Sequence, residues 1–236
     1  MRFLLHRVAN YLAANLMKVI FGYAARVHVL HRERADVSGG VLLAANHISH
    51  FDPFIFSSVV RRKIDWMAMA EFFPYPVLGQ FLRAVDAFPA ERLRADRATI
   101  RSALERLKDG RMVGIFPEGG IRDGPDSILE GAASKSGVAM LAHVANVPIL
   151  PCVILGSDRL YNSKRWLPIR RSVVWIAFGG LIQCNSNLAK AEARSQLEQD
   201  FRQSLQSLRN EIVKTFRLTA ADLPHPPKVR MKESQR

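Results

Sequence analysis

Short apolar runs alternate with longer helical stretches along most of this chain, and that alternation limits its fold more than any other feature. Residues 41–45 (Val-Leu-Leu-Ala-Ala, after Gly39-Gly40), 64–70, 112–116, 149–155 and 172–178 read as strands. Between them, Asp52-Pro53 opens a helix as N-cap and first helical residue, and residues 94–108 form a helix with Gly110 just past its end. Residues 131–146 and 188–216 also read as helical, and residues 71–84 as helical or irregular, broken near Pro74 and Pro76. Strands separated by helices pair in parallel through crossovers, so the expected fold class is α/β: a central mixed, largely parallel sheet flanked by helices. A chain of 236 residues without an internal repeat or a low-complexity linker accommodates one such domain.

Where the first strand gives way to the first helix stands Asn46-His47-Ile48-Ser49-His50-Phe51-Asp52-Pro53. Open α/β sheets place their sites beyond the carboxyl ends of strands. On a continuous helix, residues five apart diverge by about 140°; in a strand–loop–helix turn, His47 and Asp52 can face each other. A carboxylate on one imidazole nitrogen fixes the tautomer and makes the other nitrogen the base. The plainer reading has Asp52 only capping the helix and His47 as a satisfied turn residue. His50 is a rival base, only two residues from Asp52.

Three further segments follow in order. Ala87-Phe88-Pro89-Ala90-Glu91-Arg92 ends on an arginine; Phe116-Pro117-Glu118-Gly119-Gly120 follows a strand; and Val147-Pro148-Ile149-Leu150-Pro151 enters one. The two glycines of the second allow close backbone approach, and amides there can hold an anion or a developing oxyanion. Singly, each segment is an ordinary turn or surface feature.

In order and spacing, however, the four segments resemble the 1-acylglycerol-3-phosphate O-acyltransferase family over about residues 40–155. The family pattern is Asn-His-x4-Asp, a Phe-Pro-x-x-Arg stretch, a Phe-Pro-Glu-Gly turn and a Val-Pro-Ile-x-Pro strand. The resemblance implies His47 as catalytic base, Asp52 as its supporting acid, and Arg92, Glu118 and Gly119 as acceptor-binding residues. Family members usually have Thr-Arg after Phe-Pro-Glu-Gly; here Gly120-Ile121 stands there, with Arg122 one residue later as a candidate for the same phosphate. The implied reaction passes an acyl group from acyl-CoA or acyl carrier protein to a lysophospholipid hydroxyl, 1-acylglycerol 3-phosphate first, with another lyso-lipid such as a lyso-ornithine lipid as the alternative. A thiol of pKa about 8.5 is a good leaving group, so no metal and no cofactor beyond the thioester co-substrate is expected.

The charge agrees with such partners. Lys and Arg number 34 against 21 Asp and Glu, a net charge of +13 that attracts polyanions. Nucleic acid is the distant alternative, but no zinc-finger, RNA-recognition or helix-turn-helix signature is present. An anionic membrane surface fits better. Leu5, Val8, Ala9, Leu12, Leu16, Val19, Ile20 and Tyr23 line one helical face, with Arg2, His6, Arg7, Asn10 and Lys18 opposite. The chain therefore divides into residues 1–26, an amphipathic helix at the membrane interface; 27–217, the acyltransferase domain; and 218–236, a basic, proline-containing mobile tail. The expected location is the cytoplasmic face of the cell membrane. Cys152 and Cys184 lie in apolar stretches and read as buried, unpaired thiols.

Overall fold

The computed structural model describes residues 12, 15–16, 19–91, 97–134, 137–162, 171–185 and 187–233. In chain order the principal elements are β1 (Ala25–Leu30), β2 (Val41–Ala45), α1 (Asp52–Val59), β3 (Ile64–Met69), α2 (Pro76–Ala84), β4 (Phe88–Ala90), α3 (Arg97–Lys108), β5 (Met112–Ile115), α4 (Val138–Ala145), β6 (Ile149–Leu155), β7 (Ser172–Phe178), α5 (Lys190–Phe216) and α6 (Pro227–Glu233). The strands form one sheet in the order β1-β7-β6-β2-β5-β3-β4. Every neighbouring pair is parallel except β6–β7, so the expected mixed, largely parallel α/β sheet is what the chain adopts.

Strands buried on both faces must be apolar throughout, and β2 and β6 are buried at every residue. Two apolar layers cover the sheet. On one face α1 contributes Ile55, Phe56 and Val59, joined by Phe21 and Ala24. On the other face lie Ala103 and Leu107 of α3, residues of α4, and the α5 stripe Leu197, Phe201, Leu205, Leu208 and Ile212. That stripe recurs every three or four residues along a 27-residue helix, the spacing that keeps one helical face inward. Phe201 is fully buried, and truncation to Ala should cost about 3–5 kcal/mol.

The connections position the site. From β2 the chain passes through α1 to β3 in one direction across the sheet; from β5 it passes through α4 to β6 in the other. The two helices cover opposite faces, as right-handed crossovers require. The carboxyl ends of β2 and β5 therefore flank the point where connections diverge, which is where α/β sheets open a crevice.

Four expectations change. Asp52 does not cap α1: Phe51 holds the N-cap position, and Asp52, the first helical residue, turns its carboxylate back toward the preceding loop. The helix expected over 131–146 begins only at Val138, because Gly131 is left-handed (φ 100°) and closes a short turn that buries Ile128 and Leu129. β1 starts at Ala25, so a boundary at residue 26 cuts through a strand; residues 19–24 are helical, with Phe21 and Ala24 buried. Of the N-terminal amphipathic helix, Leu5, Val8 and Ala9 of the apolar face and all five residues named opposite them lie outside the described residues. The tail expected to be mobile carries α6, and its Arg230 is buried against Asp158; a buried carboxylate needs a counter-charge, and Arg230 supplies it.

Candidate active site

Six residues separate the end of β2 from α1, and the polar groups there and on Asp52 are largely engaged. Asn46 extends the strand through its side chain, donating from Nδ2 to the Ile154 carbonyl (2.9 Å) and accepting from the Ile154 N–H (2.8 Å). Asp52 is fully buried. Its Oδ2 accepts from the N–H groups of Ile48 and Ser49, both at 2.9 Å, and lies 2.9 Å from His47 Nδ1. A carboxylate has no hydrogen to give, so Nδ1 carries the proton and Nε2 keeps its lone pair. The imidazole is 14% exposed. It stacks on Phe116 (centroids 4.0 Å apart, planes at 15°), which stacks on Trp66 (4.9 Å, 8°). Gly114 of β5 makes that stack possible: a Cβ there would lie 2.5 Å from the Trp66 ring.

The turn after β5 grips the same histidine by its backbone. Glu118 Oε2 accepts the His47 N–H at 2.6 Å, and the Arg122 N–H donates to the His47 carbonyl at 2.9 Å. Glu118 Oε1 accepts from Ser127 Oγ and the Ile128 N–H, both at 2.8 Å. Burial pushes the Glu118 carboxyl up, opposed by hydrogen bonds from the His47 and Ile128 amides and the Ser127 hydroxyl. Gly119 is exposed and left-handed (φ 65°), but its N–H is committed to the Phe116 carbonyl at 3.0 Å, so it is not a spare oxyanion donor.

Of the residues singled out from sequence, His47, Asp52, Glu118, Gly119 and the backbone of Arg122 come together here. Arg92 lies outside the described residues. His50 is exposed and bonds Tyr161 instead, its N–H at 3.0 Å and its Nδ1 at 2.5 Å from the phenol oxygen. Sequence reasoning missed Ser127, Ser157 and Tyr161. Ser157 Oγ donates to Asp52 Oδ1 at 2.5 Å. Its legible signal is position: it stands two residues past β6, the strand beside β2.

The chain thus holds a buried carboxylate against an imidazole at the carboxyl end of a parallel strand of an α/β scaffold, an arrangement that can support general-base chemistry. The comparisons identify the family. Residues 26–155 match the family described as Acyltransferase, and the chain belongs to that family, as an enzyme of the 1-acylglycerol-3-phosphate acyltransferase type. It is 30% identical over 144 residues to a 1-acyl-sn-glycerol-3-phosphate acyltransferase of Bacillus subtilis, covering 61% of this chain and 69% of that protein. It is 32% identical over 127 residues to a lyso-ornithine lipid O-acyltransferase of Rhizobium meliloti, covering 52% and 41%. The crystal structure of the 1-acyl-sn-glycerophosphate acyltransferase PlsC of Thermotoga maritima shares the fold, with a TM-score of 0.65 at 23% identity over 89% of this chain and 83% of that one.

Proposed function

We propose that the chain transfers a fatty acyl group from acyl-CoA or acyl-acyl carrier protein to the free hydroxyl of 1-acylglycerol 3-phosphate, forming phosphatidic acid. The observation that carries the reading is the His47 Nδ1–Asp52 Oδ2 contact of 2.9 Å. His47 Nε2 takes the acceptor hydroxyl's proton as that oxygen attacks the thioester carbonyl. Asp52 holds the imidazole and balances the imidazolium that forms. Collapse of the tetrahedral intermediate breaks the carbon–sulfur bond, and the thiolate, of pKa about 8.5, leaves and is protonated from His47. No acyl-enzyme forms. Arg92 and Arg122 are proposed to hold the acceptor phosphate. Glu118, whose two oxygens serve protein donors, is proposed to act by fixing the His47 backbone against the acceptor.

Acceptor and donor both being anionic, the +13 chain suits them and an anionic bilayer at the cytoplasmic face. Among the described residues no helix is long and apolar enough to cross a membrane. Leu12, Leu16, Val19 and Tyr23 are each more than half exposed, which supports peripheral attachment through this face. Because Phe21 and Ala24 belong to the core, the anchor is tested by Leu16→Glu with Val19→Glu rather than by removing residues 1–25; unchanged sedimentation of this variant with phosphatidylglycerol vesicles would exclude it.

The likeness to a lyso-ornithine lipid acyltransferase, with Gly120-Ile121 after Glu118-Gly119, favours a second reading in which another lyso-lipid is the acceptor. Purified protein with labelled acyl-CoA and acyl carrier protein, offered 1-acylglycerol 3-phosphate, lyso-ornithine lipid and lysophosphatidylethanolamine, decides between them. Preferred acylation of the first supports the proposal; acylation only of another acceptor replaces it.

A further inference from the structure

The segment bearing His47 is gripped from two sides, and the second grip lies outside the stretch that matches the family, which ends at residue 155. The 3-10 turn Ser157–Tyr161 leaves β6 at Gly156, whose φ of 85° turns the chain where a Cβ would meet the Val173 carbonyl oxygen at 2.4 Å. Its first residue donates to Asp52 Oδ1 and its last bonds His50, so the turn spans the loop before α1. Asp52 Oδ2 already serves two amides and the imidazole. Ser157 on the other oxygen fixes the rotation of the carboxylate plane, and with it the direction in which Oδ2 meets His47.

The C-terminal segment holds this turn from behind at two consecutive residues. Asp158, fully buried, accepts from Arg230 Nε at 2.7 Å and from the His225 N–H at 3.1 Å. Arg159 donates to Asp222 Oδ1 at 2.7 Å and to the Ala221 carbonyl at 3.3 Å. Asp222 is itself fixed by the N–H and hydroxyl of Thr219, both at 2.8 Å. Burial pushes the Asp158 carboxyl up and Arg230 opposes it as counter-charge, so the place of the tail and the place of the turn are coupled.

We propose that Ser157 is a positioning residue for the His47–Asp52 pair, and that residues 219–230 set its place through Asp158 and Arg159. The C-terminal segment is thereby a part of the acyl-transfer machinery that touches no substrate. The proposal rests on His47 acting as the base, but not on which lyso-lipid is the acceptor.

A double-mutant cycle on the full chain tests it. Ser157→Ala should lower kcat about tenfold, with the KM of donor and acceptor within about twofold, since it removes a hydrogen bond to a charged group rather than a binding contact. Ser157→Thr, which keeps the hydroxyl, should recover most of the loss. Arg230→Met should lower kcat about threefold when Ser157 is present and leave it nearly unchanged when residue 157 is already Ala, because coupled residues are non-additive. If Arg230→Met does not fold, Asp158→Leu with Arg230→Met removes both charges of the pair and takes its place. Unaltered kcat in Ser157→Ala, or an equal loss from Arg230→Met in both backgrounds, overturns the proposal. The same cycle is read without any acceptor as the rate at which diethyl pyrocarbonate modifies His47, followed by peptide mass. That rate, which follows the nucleophilicity of Nε2, should fall in Ser157→Ala, and in Arg230→Met only with Ser157 present. A chain that acylates none of the lyso-lipids but shows this pattern loses the proposed substrate and keeps the positioning role; a rate indifferent to both substitutions removes the role.

Discussion

Two clusters of buried carboxylates, one at the amino ends of β3 and β5 and one around His47, are stabilised in opposite ways. At the amino ends of β3 and β5, Asp65 is answered by cations: Arg111 forks onto it at 2.7 and 2.9 Å, Arg106 Nε lies 3.4 Å away, and neighbouring Lys63 pairs with Asp86. At the carboxyl ends, Asp52 and Glu118 are answered by backbone amides and serine hydroxyls, and among the described residues neither pairs with a lysine or arginine. Amide donors stabilise a carboxylate without placing a permanent positive charge beside it. In the proposed mechanism the group that balances Asp52 is the imidazolium formed when His47 takes a proton. Under that mechanism a cation beside Asp52 would lower the affinity of His47 for the proton it accepts.

Substituting the two ends should therefore produce different losses. The largest effect is expected at the carboxyl end. His47→Ala should reduce kcat by about 10³-fold, within the range of a lost general base, with an unchanged circular dichroism spectrum and melting curve. Asp52→Asn should approach the same loss while sparing both KM values, because the amide presents the wrong partner to Nδ1. A folded His47→Ala protein with normal turnover would remove the base assignment altogether.

The amino end should answer in stability instead. Asp65→Ala leaves Arg106 and Arg111 facing each other with no anion between them. The cost should be about 2–3 kcal/mol, at the lower edge for a broken buried pair because the Arg111 side chain is 36% exposed. Below the melting transition the folded fraction should keep its kcat. Loss of kcat without loss of stability would show that the two ends are not separate in function.

Much of the fold around the His47 cluster was legible in the sequence, while the Asp65 cluster was not. The alternation of apolar runs with helices carried the parallel sheet, because it depends on local periodicity; the pairing of His47 with Asp52 came from the resemblance of four ordered segments to a family, since the spacing alone equally suits a helix cap. What escaped was long-range. Ser157 meets Asp52 across 105 residues, and Arg230 meets Asp158 across 72; no period connects such pairs. The six residues of β1, Ala25–Leu30, escaped differently. Arg26-Val27-His28-Val29 does alternate as a strand should, but it abuts an apolar helix whose pattern absorbs its start. The tail read as mobile because prolines and cations dominate it, and a single arginine finding a buried aspartate leaves no trace in composition.

Glu118 sharpens the contrast at smaller magnitude. Glu118→Gln keeps one acceptor and turns a donor toward the His47 or Ser127–Ile128 side, which should reduce kcat by about 1–2 kcal/mol of transition-state stabilisation. The pH dependence of stability gives a second reading. Burial raises this carboxyl above its ordinary 4.5, so the folded state holds the proton more tightly than the unfolded one. Its contribution is then most favourable below that value and declines as pH rises toward the folded-state pKa. The melting temperature of the wild type relative to Glu118→Gln should therefore fall as pH is raised from 4.5; a rising difference would mean that the amide donors outweigh burial.

Asp222 combines both modes near the surface and should show the smallest effect, with the opposite sign. Hydrogen bonding from the Thr219 amide, and then from Arg159, lowers its carboxyl from 3.8 to about 2. A depressed acid contributes stability above its unfolded value and loses it as pH falls through the folded one. The melting-temperature difference between wild type and Asp222→Asn should be present at pH 7, begin to shrink below 3.8, and be nearly gone below about 2. Solvent reaches this pair, so the difference itself should be small and reduced by salt. If it stays constant down to the lowest pH at which the protein folds, the Asp222–Arg159 contact contributes nothing through charge, and the hold of the C-terminal segment on the turn at Ser157 rests on Asp158 and Arg230 alone.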